Sequence, residues 1–356
     1  MKKIIAMLLA LCMVFALCAC GQKAASPEAA PAAAEAPAAA EAPAADAAKP
    51  ELETITLKFG HANAVDTPVD KHCQMFADKV KELSNGAITI EVYPAGQLGT
   101  LQELQDAVEY GTLDMCCGDS SMMSELLPQL AILNLPMLVT SYKQAEAVYS
   151  SDEVAQLVEK LAEEHNMRQL CWWWNGFRHL CTKVPLTSPA DCKGIKLRSP
   201  EADIYVRTFS LLGFNPTPIP WGDTFQGIQT GIADGSDTTL EGIYNADLYT
   251  LCPNICLSGH IFSVVGVTIN EDVWKGLSDE AKAIFLQAAE EVTAIERQNA
   301  IDGEGEYKQL MTDAGCTFTE FADKQEIVDL FQDYWKETSS ACEGGDELLQ
   351  AIIAMA

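Results

Sequence analysis

After its first twenty residues the chain has no apolar run long enough for a transmembrane helix, so none is expected there. Positive charge is scarce. There are 23 Lys and Arg against 51 Asp and Glu, a formal net charge of −28. Such a field repels a phosphate backbone, so nucleic acid is not expected as a partner. Cys-x-x-Cys pairs are absent and no cysteine–histidine set has zinc spacing, so no metal site is expected. There is no P-loop and no dinucleotide fingerprint, hence no nucleotide cofactor. No cysteine follows a glycine-rich elbow or sits beside a base, which leaves no activated nucleophile and no enzyme reading.

What the N-terminus does contain is an export signal. Lys2 and Lys3 form a charged start, and residues 4–17 are apolar but too short to span a bilayer comfortably. Leu17-Cys18-Ala19-Cys20-Gly21 then matches a lipoprotein cleavage site, with residues 1–19 as the signal peptide. A small residue precedes the thiol of Cys20, which would take the lipid. Two or more acyl chains anchor stably where one is marginal. Residues 20–51 are almost entirely Ala, Pro and Glu. That composition buries too little apolar surface to offset chain entropy, and its prolines keep it extended. The expectation is a folded domain held on a tether outside the cell membrane.

The remainder opens as alternating strands and helices. Residues 55–59 alternate apolar and polar, which predicts a strand. Pro68 suits a helix start, and Val69, Cys73, Phe76, Ala77 and Val80 keep helical spacing as far as the stop signal Ser84-Asn85-Gly86. Strand 88–93, helix 101–110 and strand 113–117 follow. This β-α-β-α-β order predicts a parallel sheet with helices on its faces, and ligands bind beyond the carboxyl ends of such strands. His61, Asn63 and Asp119 lie just past two of those ends and are either cleft contacts or loop structure. A helix over 152–165 leads to a strand over 167–174. In it Trp172 and Trp174 share one face and Trp173 takes the other, as core or as cleft wall. The prolines of 215–220 force an extended segment. Ser278 caps a predicted helix of about 36 residues with Gly303 and Gly305 inside it.

Two arginines stand out in so acidic a chain. Arg178 and Arg198 each follow a glycine closely and close a short apolar run, at expected strand ends. The planar guanidinium fork matches a carboxylate bidentately. Each is therefore either an anion receptor or one half of an ion pair with the abundant acidic residues. Ten cysteines follow Cys20. They are either disulfides of an exported protein or, in their apolar surroundings, small core residues with free thiols, the reading we favour.

In order along the chain stand NGFRHLCT, SPADCKGIKLRSPEA, LGFNPTPIPWGDTFQGIQTGIADGSDTTLEGI and SGHIF, after the earlier YPAGQLG and LPM. This ordered set, over about residues 55–341, resembles the solute-binding proteins of TRAP (tripartite ATP-independent periplasmic) transporters. The resemblance implies an α/β, two-lobe periplasmic-binding-protein-like fold with a cleft between the lobes and a long lobe-spanning helix. It implies lobe I over 52–175 plus 264–303 and lobe II over 176–263 plus 304–356. It implies that Arg198 clamps the ligand carboxylate, that Arg178 supports it, and that Asp237, Thr238 and the aromatic Trp221 face the ligand. Where the family commonly has an asparagine this chain has Thr238, and PWGDTF replaces the usual residues around Trp221, so ligand identity departs from the common pattern.

The implied function is an extracytoplasmic, monomeric receptor that delivers a small organic acid to the small and large integral-membrane permease subunits. A sugar acid suits a cleft with Asn63, Asp119, Thr238 and Gln226. An aromatic or keto acid would stack on Trp221, and a C4 dicarboxylate would need a second cation. A sensory receptor without transport is the other alternative.

Overall fold

A computed structural model describes residues 52–356 of the chain. The expected signal peptide, the lipidation site Cys20 and the Ala/Pro/Glu tether lie outside the described residues.

Strand β1 (Ile55–His61) is followed by α1 (Pro68–Leu83), whose first turn is capped by the Thr67 side chain accepting from the Asp70 amide. The predicted face is buried from Val69 to Val80, and Asn85 and Gly86 take positive φ to end the helix. Then come β2 (Ile88–Tyr93), α2 (Leu101–Glu109, opened by a Thr100–Glu103 capping box) and β3 (Met115–Asp119). The three strands are parallel, in the order β2-β1-β3. Short α3 (Gln129–Leu133), α4 (Tyr142–Tyr149) and α5 (Asp152–His165) lead to β4 (Met167–Thr182).

Strand β4 differs from the sequence reading. It does not stop at Trp174 but runs for 16 residues. Arg178 is therefore inside a strand, not at its end. The reason is Gly176, at φ 98°, a conformation that glycine adopts freely. The register shifts between Trp174 and Gly176, and the strand bends from one sheet into another instead of ending. Its first part pairs antiparallel with β9, while residues 178–182 pair with β7 and β8.

The second sheet is built from β5 (Lys196–Ser199), α6 (Asp203–Leu211), β6 (Asn215–Pro218), α7 (Thr224–Gln229) and β7 (Gly235–Thr239). Here β6, β5 and β7 are parallel. The proline-rich β6 lies beyond β5 at the edge, where a missing N–H costs least. Next are α8 (Leu240–Asn245), α9 (Leu248–Leu251), β8 (Asn254–Cys256), β9 (Phe262–Asn270) and α10 (Glu271–Gly276). Strand β9 returns to the first sheet and separates β3 from β4.

Helix α11 (Asp279–Asp313) spans 35 residues, about 52 Å. The Ser278 hydroxyl accepts from the Ala281 amide at its start, and the helix passes through Gly303 and Gly305 without a break. It packs on α1 and β4, and further along on α8. Strand β10 (Thr317–Thr319) pairs with β8, and α12 (Lys324–Ser340) and α13 (Gly345–Ala354) pack against α3.

The tryptophan run alternates as the strand period requires. Trp173 is fully buried in the core beneath α1 and α11, where its indole N–H donates to Thr293 Oγ1 at 3.1 Å. Trp172 and Trp174 enter the core on the opposite face. All three are core residues, and none borders the cleft described below. The ten cysteines of the described residues are free, and seven of them are buried.

Candidate functional site

The carboxyl ends of the parallel strands of both sheets converge on one cavity of about 360 Å³. Ala62 and Asn63 follow β1, and Gly118 and Asp119 end β3. From the second sheet come Arg198 of β5, Pro200 just beyond it, and Thr238 of β7. Asn175 and Arg178 of the shared strand β4 also line it. Trp221, Phe225 and residues of α8 complete the wall. The position follows from strand polarity: side chains leaving the carboxyl ends of parallel strands are the ones free to face a ligand.

Arg198 is buried, and its Nε and Nη2 both donate to the Ile219 carbonyl, at 2.9 and 2.7 Å. Its guanidinium carbon lies 5.5 Å from the Trp221 ring centroid. Among the described residues no carboxylate is within ion-pair distance of it. Burial is the main reason its pKa falls to about 10, and the charge of Arg178 adds to the fall against the pull of Asp237. A guanidinium held along its Nε side by one carbonyl keeps its Nη1–Nη2 end for a bidentate acceptor.

Arg178 is also buried but is fully engaged. Its Nε donates to Asp237 Oδ2 and its Nη2 to the Asp237 carbonyl at 3.1 Å. Nη1 is 3.6 Å from Asp119 Oδ2 and 3.5 Å from Ser263 Oγ, and the guanidinium stands 4.6 Å over Tyr205. Burial opposes its charge, but Asp237, Tyr205 and Asp119 together more than offset that and the pKa rises. Asp237 shows the converse. Burial alone would raise it, yet Arg178 and His260 hold it at about 2. His260 Nε2 is 3.6 Å from Asp237, and its Nδ1 is 2.8 Å from Ser258 Oγ. Ser263 donates to Asp119 at 3.2 Å, which ties β3, β9, β4 and β7 into one polar network under the cleft.

Six of the expected site residues border the cavity: Asn63, Asp119, Arg178, Arg198, Trp221 and Thr238. Two others do not. Strand alternation that turns Thr238 toward the cavity turns Asp237 away, into the buried pair with Arg178. His61 faces α1 instead, fully buried with Nε2 3.1 Å from Asp70, and burial lowers its pKa. Gln226 is exposed on α7 and outside the wall. Asn175, Glu241 and Asn245 were not anticipated. Glu241 and Asn245 share a face of α8 by their i, i+4 spacing, so placing either one on the cavity side places the other. Glu241 rises to about 7 because it is desolvated. Among the described residues no cluster of His, Cys, Asp or Glu is arranged to hold a metal ion.

Residues 59–341 match the family described as bacterial extracellular solute-binding protein, family 7. The sialic acid-binding periplasmic protein SiaP of Vibrio cholerae is 28% identical over 300 residues, 84% of this chain and 92% of that protein. The C4-dicarboxylate-binding protein DctB of Bacillus subtilis is 31% identical over 242 residues, 68% of this chain and 69% of that one. Among solved structures, the sugar acid binding protein DctPAm of Advenella mimigardefordensis in complex with galactonate superposes with a TM-score of 0.81. It is 23% identical, and the match covers 85% of this chain and 98% of that chain. Its likeness is one of fold.

Proposed function

The chain belongs to the bacterial extracellular solute-binding proteins of family 7, the receptors of TRAP transporters, and on that basis we propose that it captures a sugar acid by its carboxylate and delivers it to a TRAP permease. The observation that carries the clamp is Arg198. It is a buried cation without a counter-ion among the described residues, and it borders a cavity at converging strand ends. A ligand carboxylate accepting from Nη1 and Nη2 restores the pairing that burial demands. Arg178, already held by Asp237, presents its Nη1 side to the same cavity and supports the clamp. Trp221 covers the Arg198 guanidinium from one side. Asn63, Asp119 and Thr238 bond hydroxyls.

In this reading the receptor works outside the cytoplasm, lipid-anchored at Cys20, as a monomer. Lobe I (52–175 plus 264–303) and lobe II (176–263 plus 304–356) close on the acid like a hinged trap. The crossings between them fall at the register shift beside Gly176 in β4, at Ser263 in β9 and near Gly303 in α11. The closed receptor then docks on the small and large permease subunits, which an ion gradient drives.

The C4-dicarboxylate alternative draws on the likeness to DctB. It is the weaker reading here, because the two arginines are the only cations of the cavity wall among the described residues and one is already neutralised by Asp237.

Calorimetric titration with a panel of sugar acids and dicarboxylates tests the proposal. Wild-type protein is expected to bind a sugar acid, and Arg198→Ala to weaken it at least about thirtyfold, since removing one partner of a buried charge pair costs 2–5 kcal/mol. Unchanged affinity in a folded Arg198→Ala variant would sink the clamp.

A further inference from the structure

Glu241, on the first turn of α8, borders the cleft. Among the described residues it alone borders both the cleft and a second cavity of about 320 Å³ behind it, between α1 and α11. Arg198 borders only the cleft, on the side of Ile219 and Trp221. The two side chains therefore belong to different parts of the cleft wall, Arg198 on β5 against Ile219 and Trp221 and Glu241 on α8 beside the second cavity. The Glu241 carboxyl is half-buried on the first turn of α8, borders the cleft and makes no hydrogen bond and no ion pair among the described residues. A carboxyl on a cleft wall with no protein partner keeps its bonding capacity for water or for a ligand that displaces it. Neither fold nor capping gives it a task, because the cap of α8 is supplied by the Thr239 hydroxyl to Gly242.

We propose that Glu241 reads the end of the ligand remote from its carboxylate: it bonds a hydroxyl there and rejects a second carboxylate. The inference rests on the sugar-acid reading and deepens it. A hydroxyl donates to a carboxylate and also accepts from a carboxyl, so it satisfies Glu241 in either protonation state. Asn245, on the same face of α8, and Asn175 of β4 border the cleft beside it and serve neighbouring hydroxyls. A second ligand carboxylate in that part of the cleft would meet Glu241. Wherever Glu241 is ionised, two carboxylates brought together there select against that ligand. Glycine at 242 belongs to the same arrangement. A Cβ there would lie 2.5 Å from Thr238 Oγ1, pushing the hydroxyl that lines the cleft.

The test is a titration of four proteins with galactonate, glucuronate and succinate as probes, after thermal unfolding has shown that each is folded. Wild type is expected to bind at least one sugar acid about tenfold or more tighter than succinate. Glu241→Leu, which removes both bonding functions, is expected to lose about tenfold or more for that sugar acid. Glu241→Gln still donates and accepts; it is expected to stay within about threefold for the sugar acid while the gap to succinate narrows. If Glu241→Leu binds the sugar acid like wild type while Arg198→Ala does not, the role of Glu241 is overturned and the clamp stands. If Arg198→Ala also binds like wild type, or wild type prefers succinate, the sugar-acid reading falls with it.

Discussion

At Arg198 two donors converge on the Ile219 carbonyl and no carboxylate follows, whereas Arg178 is locked to Asp237 and leans on Asp119. In the proposed reading the same side-chain type thus has two jobs, receiver and strut. Residue type alone made both visible in the sequence as anion-binding candidates. It did not reveal which of them was already paired, because Arg178 and Asp237 are 59 residues apart and meet only through the register of β4 on β7. Nor did it separate Asp237 from Thr238, which one residue of strand alternation sends to opposite faces. Replacement of Asp237 by Asn should cost about 3–5 kcal/mol of stability in a denaturant titration, since it strands a buried guanidinium. The acid limb follows from the same pair. Asp237 is held at about 2, below its ordinary 3.8, so the folded state gives up a proton that the unfolded chain keeps. The resulting stability is present above pH 4 and drains away as pH falls toward 2.

Among the elements, β4 and α11 define the frame. Periodicity revealed α11 with its Ser278 cap, and it revealed the first three strands and their helices within a residue or two. It ended β4 eight residues early, because Asn175-Gly176 reads locally as a turn and only tertiary pairing turns it into a bulge. Where the two elements meet, Glu296 of α11 accepts the Trp174 amide of β4 at 2.8 Å, filling a donor that the bulge would leave unmet. Burial lifts Glu296 from 4.5 to about 8. It therefore stays protonated in the fold while the unfolded chain ionises above pH 4.5. Between those values the folded state holds the extra proton, so stability declines as pH rises, by on the order of a few kcal/mol across that interval. Glu296→Gln keeps an acceptor for Trp174 without a titrating proton. Its melting temperature should match wild type near pH 4.5 and exceed it at pH 8, as measured by scanning calorimetry; equal melting temperatures at both values would contradict the assignment.

For the molecule as a whole, strand and helix alternation indicated a parallel sheet with helices on its faces, and the two-lobe α/β receptor was legible through the resemblance that the ordered motifs carry to TRAP solute-binding proteins. They did not indicate ligand identity: Glu241 stands inside the last long motif and Asn245 just after it, and nothing in the motif itself marks either as facing the cleft. The cysteines belong to this scale too, since they are scattered through all three hydrophobic clusters. Burial raises the thiols: Cys171 and Cys252 to about 12, and Cys256 to about 11. A thiol that stays protonated is a poor nucleophile. Brief iodoacetamide treatment of residues 52–356 at pH 8 should therefore label at most the three half-buried cysteines, 171, 316 and 342, and all ten after denaturation, as counted by intact mass. The shared strand has a last consequence. Because β4 supplies one half of itself to each sheet, neither lobe owns a complete set of backbone partners. The two sheets are therefore not separate units of folding: a chain cut within β4 leaves an open row of amides and carbonyls on each side of the cut.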